Sequence, residues 1–341
     1  MTSAGLPGRP ATVVQVGDIA GVATQLTAAL EAHTDWRSVP VGVAELRRHG
    51  RVARMLDWPA RALSTRRAVR EATARVRPDV VHLHWARYAP FLDLGGVPLV
   101  VHVHGSDVRG QRATLAGRLV DRALRRAAAV VVSTPDLLSE TPPGAMWLPN
   151  PFDVERFAIT NPPVPRQLRE SDASDRPVVL MFARLVDVKG ADRLLAAAEE
   201  IRRRRPDIRA VGFAGGPYET QARAAGLELV AAVDRDDVPG LLRSVDVVIG
   251  QQRLGALGLS ELEAMAAGRP VIVSLRRDLY PEAVPVENPV EPVDIAAAAI
   301  ALIDDPQRRA ALGAQGRDWV VAHHAPAAVA GALAEVYEGV R

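Results

Sequence analysis

PVVLMFARLVDVKGADRLLAAAEE, residues 177–200, begins as an apolar run, breaks at a short charged turn and then takes up helical periodicity. The first part, PVVLMFA (177–183), has the uninterrupted β-branched and apolar character of a strand covered on both faces. GADRLLAAAEEIRRR (190–204) follows as an amphipathic helix. A strand feeding a helix through a turn is one βα unit, and such alternation along a chain is the pattern of parallel sheets clothed by helices. The first half repeats it, with strands expected at 11–16, 79–84, 98–104 and 129–133 and a short one before LPNPF. The second half adds strands at 177–183, 208–215, 246–250 and 270–274.

A chain of 341 residues exceeds the usual domain of about 100–200 residues, so two cores are expected. Residues 163–176 carry prolines and no periodicity, which marks a linker. The reading is therefore an N-terminal α/β domain over 1–162, a second over 177–315, and C-terminal helices over 316–341 that pack back on the first. Cysteine is absent, which excludes disulfides, thiolate catalysis and cysteine-ligated zinc. The start lacks a charged leader with an apolar run, and no stretch of about 18 apolar residues follows, so a cytoplasmic protein is expected. Charge is uneven: residues 1–158 hold 20 Arg against 14 acids, and the remainder 22 basic residues against 26 acids. Such asymmetry points to a first half that meets anions.

The turn after PVVLMFA carries Lys189, the one lysine among 42 basic residues. Lysine is a compact point charge on a flexible stem, whereas arginine grips phosphate bidentately. Arg184 and Lys189 lie where a strand ends and a helix begins, at the positive end of the helix dipole, where phosphate is favoured. GLSELEAMAAGRPVI (258–272) runs from a glycine loop through a short helix into a buried strand. Ser260 and Glu263 there have the S-x-x-E spacing of a capping box. FAGGPY (213–218) ends a strand in two glycines, which permit close approach of backbone to a ligand. Each feature also has a structural reading, as solvated cations or as a helix cap.

In combination these stretches resemble the nucleotide-sugar-binding domain of the family-4 retaining glycosyltransferases of the GT-B fold. The matching segments run in the family's order: ARLVDVKGADRLLAA, FAGGP, VPGLLRSVDVVIGQ, GLSELEAMAAGRPVIVS and DDPQRRAALGAQGRDWVV, with VVHLHW, VVHVHGSDV and LPNPFDVERF in the first half. The resemblance implies two Rossmann-like, doubly wound parallel-sheet α/β domains facing across a cleft. It further implies a glycosyltransferase that moves a sugar from a nucleotide-sugar donor to an acceptor, with retention at the anomeric carbon and no cofactor. By position, Arg184 and Lys189 match the pair on the donor pyrophosphate, and Glu263 the glutamate that holds the ribose hydroxyls. Gly215 and Gly216 match the loop near the nucleotide, and Gly258 with Leu259 the loop whose amides face the phosphates. Gly21 matches the turn after the first strand, and His104 the histidine beside the transferring sugar, with Asp107 and His84 on the acceptor side. Asn150 and Asp153 resemble a hinge-side motif and are read as structural.

The family carries two glutamates with seven residues between them, and counting back from Glu263 puts Gly255 at the first. Gln251, Gln252 and Glu261 are the polar residues the sequence offers in its place. The change leaves two rivals open: a GT-B protein that binds a nucleotide or glycan without turnover, and a nucleotide-sugar epimerase. A D-x-D pair, Asp234 and Asp236, precedes VPGLLRSVD, so Asp236 or Asp237 is read as a helix cap rather than a metal ligand.

Two H-x-H pairs, His82 with His84 and His102 with His104, fall on expected strands, where a period of two places each pair on one sheet face. No carboxylate is placed as a further ligand, so no metal is assigned. Residues 47–77 hold ten arginines against Asp57 and Glu71, with Trp58, Leu63, Val69 and Val76 interleaved. Arg47 to Arg77 is read either as a basic amphipathic helix for an anionic membrane surface, at the inner face, or as a solvated helix. A nucleic-acid partner is not expected, because stacking aromatics and the known binding motifs are lacking.

Overall fold

The computed structural model describes residues 10–19, 21–43, 51–110, 114–158, 176–280 and 282–341, with backbone alone for 51–57. The chain forms two compact units, Met1–Phe152 with His324–Arg341, and Asp153–His323. In the first unit, β1 (Thr12–Val16), α1 (Val22–His33), β2 (Arg37–Val41), α2 (Arg51–Val76), β3 (Val80–His84), β4 (Leu99–Val103), α3 (Leu115–Leu124), β5 (Ala129–Val132) and β6 (Met146–Trp147) follow in order. The strands make one parallel sheet in the order β2-β1-β3-β4-β5-β6.

Alternation along each strand sends neighbours to opposite faces, and both faces are buried. Val14, Val81, Leu83, Val101 and Val132 line one core, while Val13, Val80, Val100 and Val131 line the other. A fully buried Val or Leu contributes about 1.5–3 kcal/mol, which explains why these strands read as unbroken apolar runs. β2 was not expected: it holds Arg37 and Pro40 and sits at the sheet edge, where only one side needs a ladder partner.

The second unit runs β7 (Val178–Met181), α4 (Ala191–Arg204), β8 (Arg209–Phe213), α5 (Glu219–Ala224), β9 (Glu228–Val230), α6 (Val238–Arg243), β10 (Val247–Ile249), α7 (Leu259–Ala266), β11 (Val271–Ile272), α8 (Pro292–Asp304) and α9 (Pro306–His324). Its parallel sheet has the order β11-β10-β7-β8-β9. β9 is the second unexpected strand, three residues long and again at an edge.

The tail read as 316–341 divides. Arg317 donates to the Ala266 carbonyl within the second unit, and Trp319 lies beside Tyr280 there. α10 (Pro326–Glu338) belongs to the first unit, where Tyr337 packs on Trp36 with ring centroids 4.8 Å apart. The expected linker falls outside the described residues except for Arg176.

In each sheet the strand order reverses once, between β1 and β3 and between β7 and β10. Open parallel sheets bind ligands beyond the carboxyl ends of the strands flanking that reversal. The loops after β1, β3, β7 and β10 are therefore the places to look.

Candidate functional site

The loop after β7 places Arg184 at the surface and folds Asp187–Lys189 into a 3-10 turn that ends at Gly190. Gly190 has φ of 78°, and a Cβ there would meet the Gln252 backbone at 3.0 Å. Glycine is therefore required by conformation and by space. The close approach lets the Gln252 amide donate to the Lys189 carbonyl at 2.8 Å, and Arg193 Nη1 donates to the Gln252 carbonyl at 3.0 Å. The loops after β7 and β10 are thus latched through backbone, and the Lys189 ammonium takes no partner among the described residues.

Gln251 organises the loop after β10. It is fully buried; Nε2 donates to the carbonyls of Ala256 (3.0 Å) and Ser274 (2.8 Å), and Oε1 accepts from the amides of Arg253 and Leu254. Glu261 completes the frame, accepting from Gln251 N through Oε1 and from Gly258 N through Oε2, both at 2.8 Å. Gln252 is fully buried, and its amide nitrogen faces the Gly250 and Ile272 carbonyls. Gln251 and Glu261 are spent on backbone, so these two fall away as substitutes for a sugar-contacting glutamate, whereas Gln252 keeps a buried Oε1 without a partner among the described residues. Gly255 itself has φ of 72°, accepts from Arg276 N and lies against the Arg276 side chain.

The capping pair also differs from the reading. Gly258, not Ser260, stands at the N-cap of α7, and Glu261, not Glu263, reaches back to it. Glu263 is released for another role. It is 7% exposed, and its carboxylate accepts no hydrogen bond among the described residues. Burial lifts it from 4.5 to about 6, against the pull of Arg235 and Arg156, and Glu261 pushes the same way.

Lys189 stands at the start of α7: a side chain on Gly258 would meet its Nζ at 3.8 Å. The ammonium lies at the helix N-terminus, where the amides of Leu259 and Ser260 have no partner among the described residues. Leu259 and Glu263, four residues apart, share a helix face. The loop after β8 joins the same edge, with Gly215 and Gly216 exposed at φ of 95° and 112° and Gly216 against the Leu185 carbonyl. The structure thus brings Lys189 to Gly258 at the start of α7, the helix that carries Leu259 and Glu263, with Gly216 against the loop that carries Arg184. Asp237 stands at the N-cap of α6 without a side-chain cap bond, and Asp236 pairs with Arg156, so the capping role read for them is not realised.

In the first unit the loop after β1 turns at Gly21, φ 79°, with open space around it. Asp18 braces that turn, accepting from Ala23 N at 2.9 Å and Thr24 Oγ1 at 2.7 Å. His104, half-buried at the end of β4, is drawn down to about 4 by burial while the Asp18 charge pulls it up. At neutral pH its imidazole is uncharged. Asp18 was missed as a site candidate, although its place ahead of the glycine turn was a signal. Asp107 is 1% exposed and accepts from the backbone of Ala86, His104 and Gly105, so it shapes the loop rather than meeting an acceptor. His84 is likewise buried, with Nε2 on Gln15 Oε1 at 2.8 Å. A further group not foreseen is the aromatic cluster beyond β3, where Trp58 stacks on Tyr88 at 5.0 Å and Trp85 adopts φ of 138°.

Known proteins match along most of the chain. The family described as Glycosyl transferases group 1 matches residues 165–319, and the Glycosyl transferase 4-like domain matches residues 7–141. A GDP-mannose-dependent alpha-(1-6)-phosphatidylinositol monomannoside mannosyltransferase of Mycolicibacterium smegmatis is 34% identical over 196 residues, 51% of each chain. An alpha-D-kanosaminyltransferase of Streptomyces kanamyceticus is 28% identical over 315 residues, 83% of this chain and 81% of that one. The chain spans about half the length of the mannosyltransferases it matches. Among solved structures, Anabaena Alr3699/HepE in complex with UDP aligns with a TM-score of 0.70 at 16% identity, over 96% of this chain and 99% of that one, a likeness of fold. No described helix is long and apolar enough to cross a membrane.

Proposed function

Because the chain belongs to the family-4 glycosyltransferases of the GT-B fold, we propose that it transfers a sugar from a nucleotide-sugar donor to an acceptor, with retention and without a catalytic metal. The carrying observation is the corner after β7 and β10, where the Lys189 ammonium stands at the N-terminus of α7, the helix that carries the buried Glu263. Glycosyl transfer asks chiefly for stabilisation of the departing diphosphate and for positioning, which fixed cations and amides supply without reorganising. Lys189 and Arg184 take the diphosphate, Glu263 accepts the ribose hydroxyls, and neutral His104 meets the transferring sugar.

GDP is the first nucleotide to test, since the mannosyltransferases that match are GDP-mannose-dependent. UDP is the second, from the structural neighbour. Calorimetric titration with GDP, UDP and ADP under chelator is expected to show one binding, lost in Lys189→Ala. No binding of any of them would sink the donor-site reading and favour a protein that has lost the donor site.

The proposal extends to peripheral docking on an anionic membrane through α2, which exposes Leu63, Arg66, Arg67, Arg70 and Arg75 along the described part. Residues 44–50 and the side chains of 51–57 lie outside the described residues. Co-sedimentation with anionic vesicles at low salt tests it, and no pelleting would end it.

A further inference from the structure

The face of the first sheet that carries Val13, Val80 and Val100 changes character two residues further along each strand. Gln15, His82 and His102 occupy those positions, His84 follows on β3, and the register sets His84 opposite His102. The three histidines are at most 1% exposed. The H-x-H pairs, read from sequence as short of a further ligand, converge here across two strands.

Their hydrogen bonds do not close. His82 Nδ1 meets the Tyr337 hydroxyl at 2.6 Å, and His84 Nε2 meets Gln15 Oε1 at 2.8 Å. Among the described residues, His82 Nε2 and both nitrogens of His102 are buried without a partner, and His84 Nδ1 meets His104 Nε2 at 3.4 Å. Each buried, unsatisfied polar atom costs about 1–3 kcal/mol, so a fold that gathers three of them in one spot calls for an explanation. Ligand atoms from His82, His84 and His102 all lie within 4.8 Å of one another. All three are buried in the sheet, and neutral imidazole is the form that ligates metal.

We propose that His82, His84 and His102 bind one transition-metal ion, of the borderline class that imidazole suits, with zinc as the first candidate. The three buried histidines are the ligand set; His104, which the proposed function places at the sugar, lies next to it with its Nε2 3.4 Å from His84 Nδ1. The outer contacts fit such a site. With metal on His82 Nε2, its Nδ1–H donates to the Tyr337 oxygen; with metal on His84 Nδ1, its Nε2–H donates to Gln15 Oε1. Gln15 Nε2 also donates to the Tyr337 hydroxyl at 3.2 Å, which joins β1 and α10 to the cluster. The ion would staple β3 to β4 and hold the C-terminal helix, a structural role separate from the donor corner in the second unit.

The test uses the full chain free of any polyhistidine tag, with metal content measured by plasma mass spectrometry as purified and after dialysis against zinc. The expected result is about one ion per chain and a raised melting temperature in zinc over chelator. His102→Leu, checked by circular dichroism, should lose the ion and that zinc-dependent rise; His82→Leu is the second variant should the first not fold. Cobalt loading should give the visible absorption of a tetrahedral site in the parent and not in the variants. Absence of stoichiometric metal in the parent after dialysis, or retention of the ion in both variants, overturns the assignment.

Discussion

Replacing Glu263 by glutamine should stabilise the second unit while it weakens nucleotide binding, and the size of both effects follows from burial. The carboxyl is lifted from 4.5 to about 6. At about 1.4 kcal/mol per pH unit, ionising it in the folded chain costs roughly 2 kcal/mol more than in the unfolded chain. The sign is that of a raised folded value: the contribution to stability is full below 4.5 and lost as pH rises through about 6. Glutamine keeps the shape without the charge. At pH 8 Glu263→Gln should therefore gain up to about 2 kcal/mol, or roughly 4–8 °C in melting temperature for a unit of this size, and near pH 4.5 the gain should vanish. Calorimetric melting at the two pH values measures it. Titration with the nucleoside diphosphate at pH 8 should show affinity falling roughly 10- to 100-fold, as expected for loss of charged hydrogen bonds of about 1.5–3 kcal/mol. A variant no more stable than the parent at pH 8, or a difference independent of pH, would refute the claim that this carboxylate is desolvated and kept for a ligand.

Lys189→Ala should lower nucleotide affinity by roughly 10- to 100-fold with little change in melting temperature, since the ammonium takes no hydrogen bond or ion pair among the described residues; this is read by titration and melting together. Gly255→Glu should cost about 1–2 kcal/mol, because φ of 72° strains any side chain and the Arg276 Cγ lies 3.1 Å from the new Cβ. Urea denaturation tests this, and an unchanged midpoint would refute it. Gln251→Leu should destabilise by about 3 kcal/mol or more, as it leaves two carbonyls and two amides unpaired in a buried loop. The same denaturation curve decides it.

The architecture was legible because buried parallel strands have no polar face: Val80–His84 and Val178–Met181 read as apolar runs and fold as central strands. The edges were not, since β2 and β9 need only one partner and tolerate Arg37, Pro40 and Glu228. Lys189 was legible from its rarity and its place in a strand-to-helix turn. The division of labour between two nearby glutamates was not. Spacing alone assigns Glu263 to a cap on Ser260, whereas the helix begins two residues earlier and hands the cap to Glu261. Gln251 looks in sequence like a polar residue near a site; only the path of the loop shows that its amide is wholly committed to backbone.

That distinction separates two kinds of residue at the donor corner. Gln251, Glu261 and Gly190 are buried and bind backbone or admit it, so their loss should appear first as lost stability. Lys189 and Glu263 keep polar atoms that backbone does not satisfy, and Glu263 is held ionised at neutral pH against its own burial. A fold gains nothing by itself from such an arrangement. On the proposed function it becomes favourable when a ligand brings a diphosphate to the ammonium and hydroxyls to the carboxylate, so affinity and stability should move in opposite directions at Glu263 and together at Gln251.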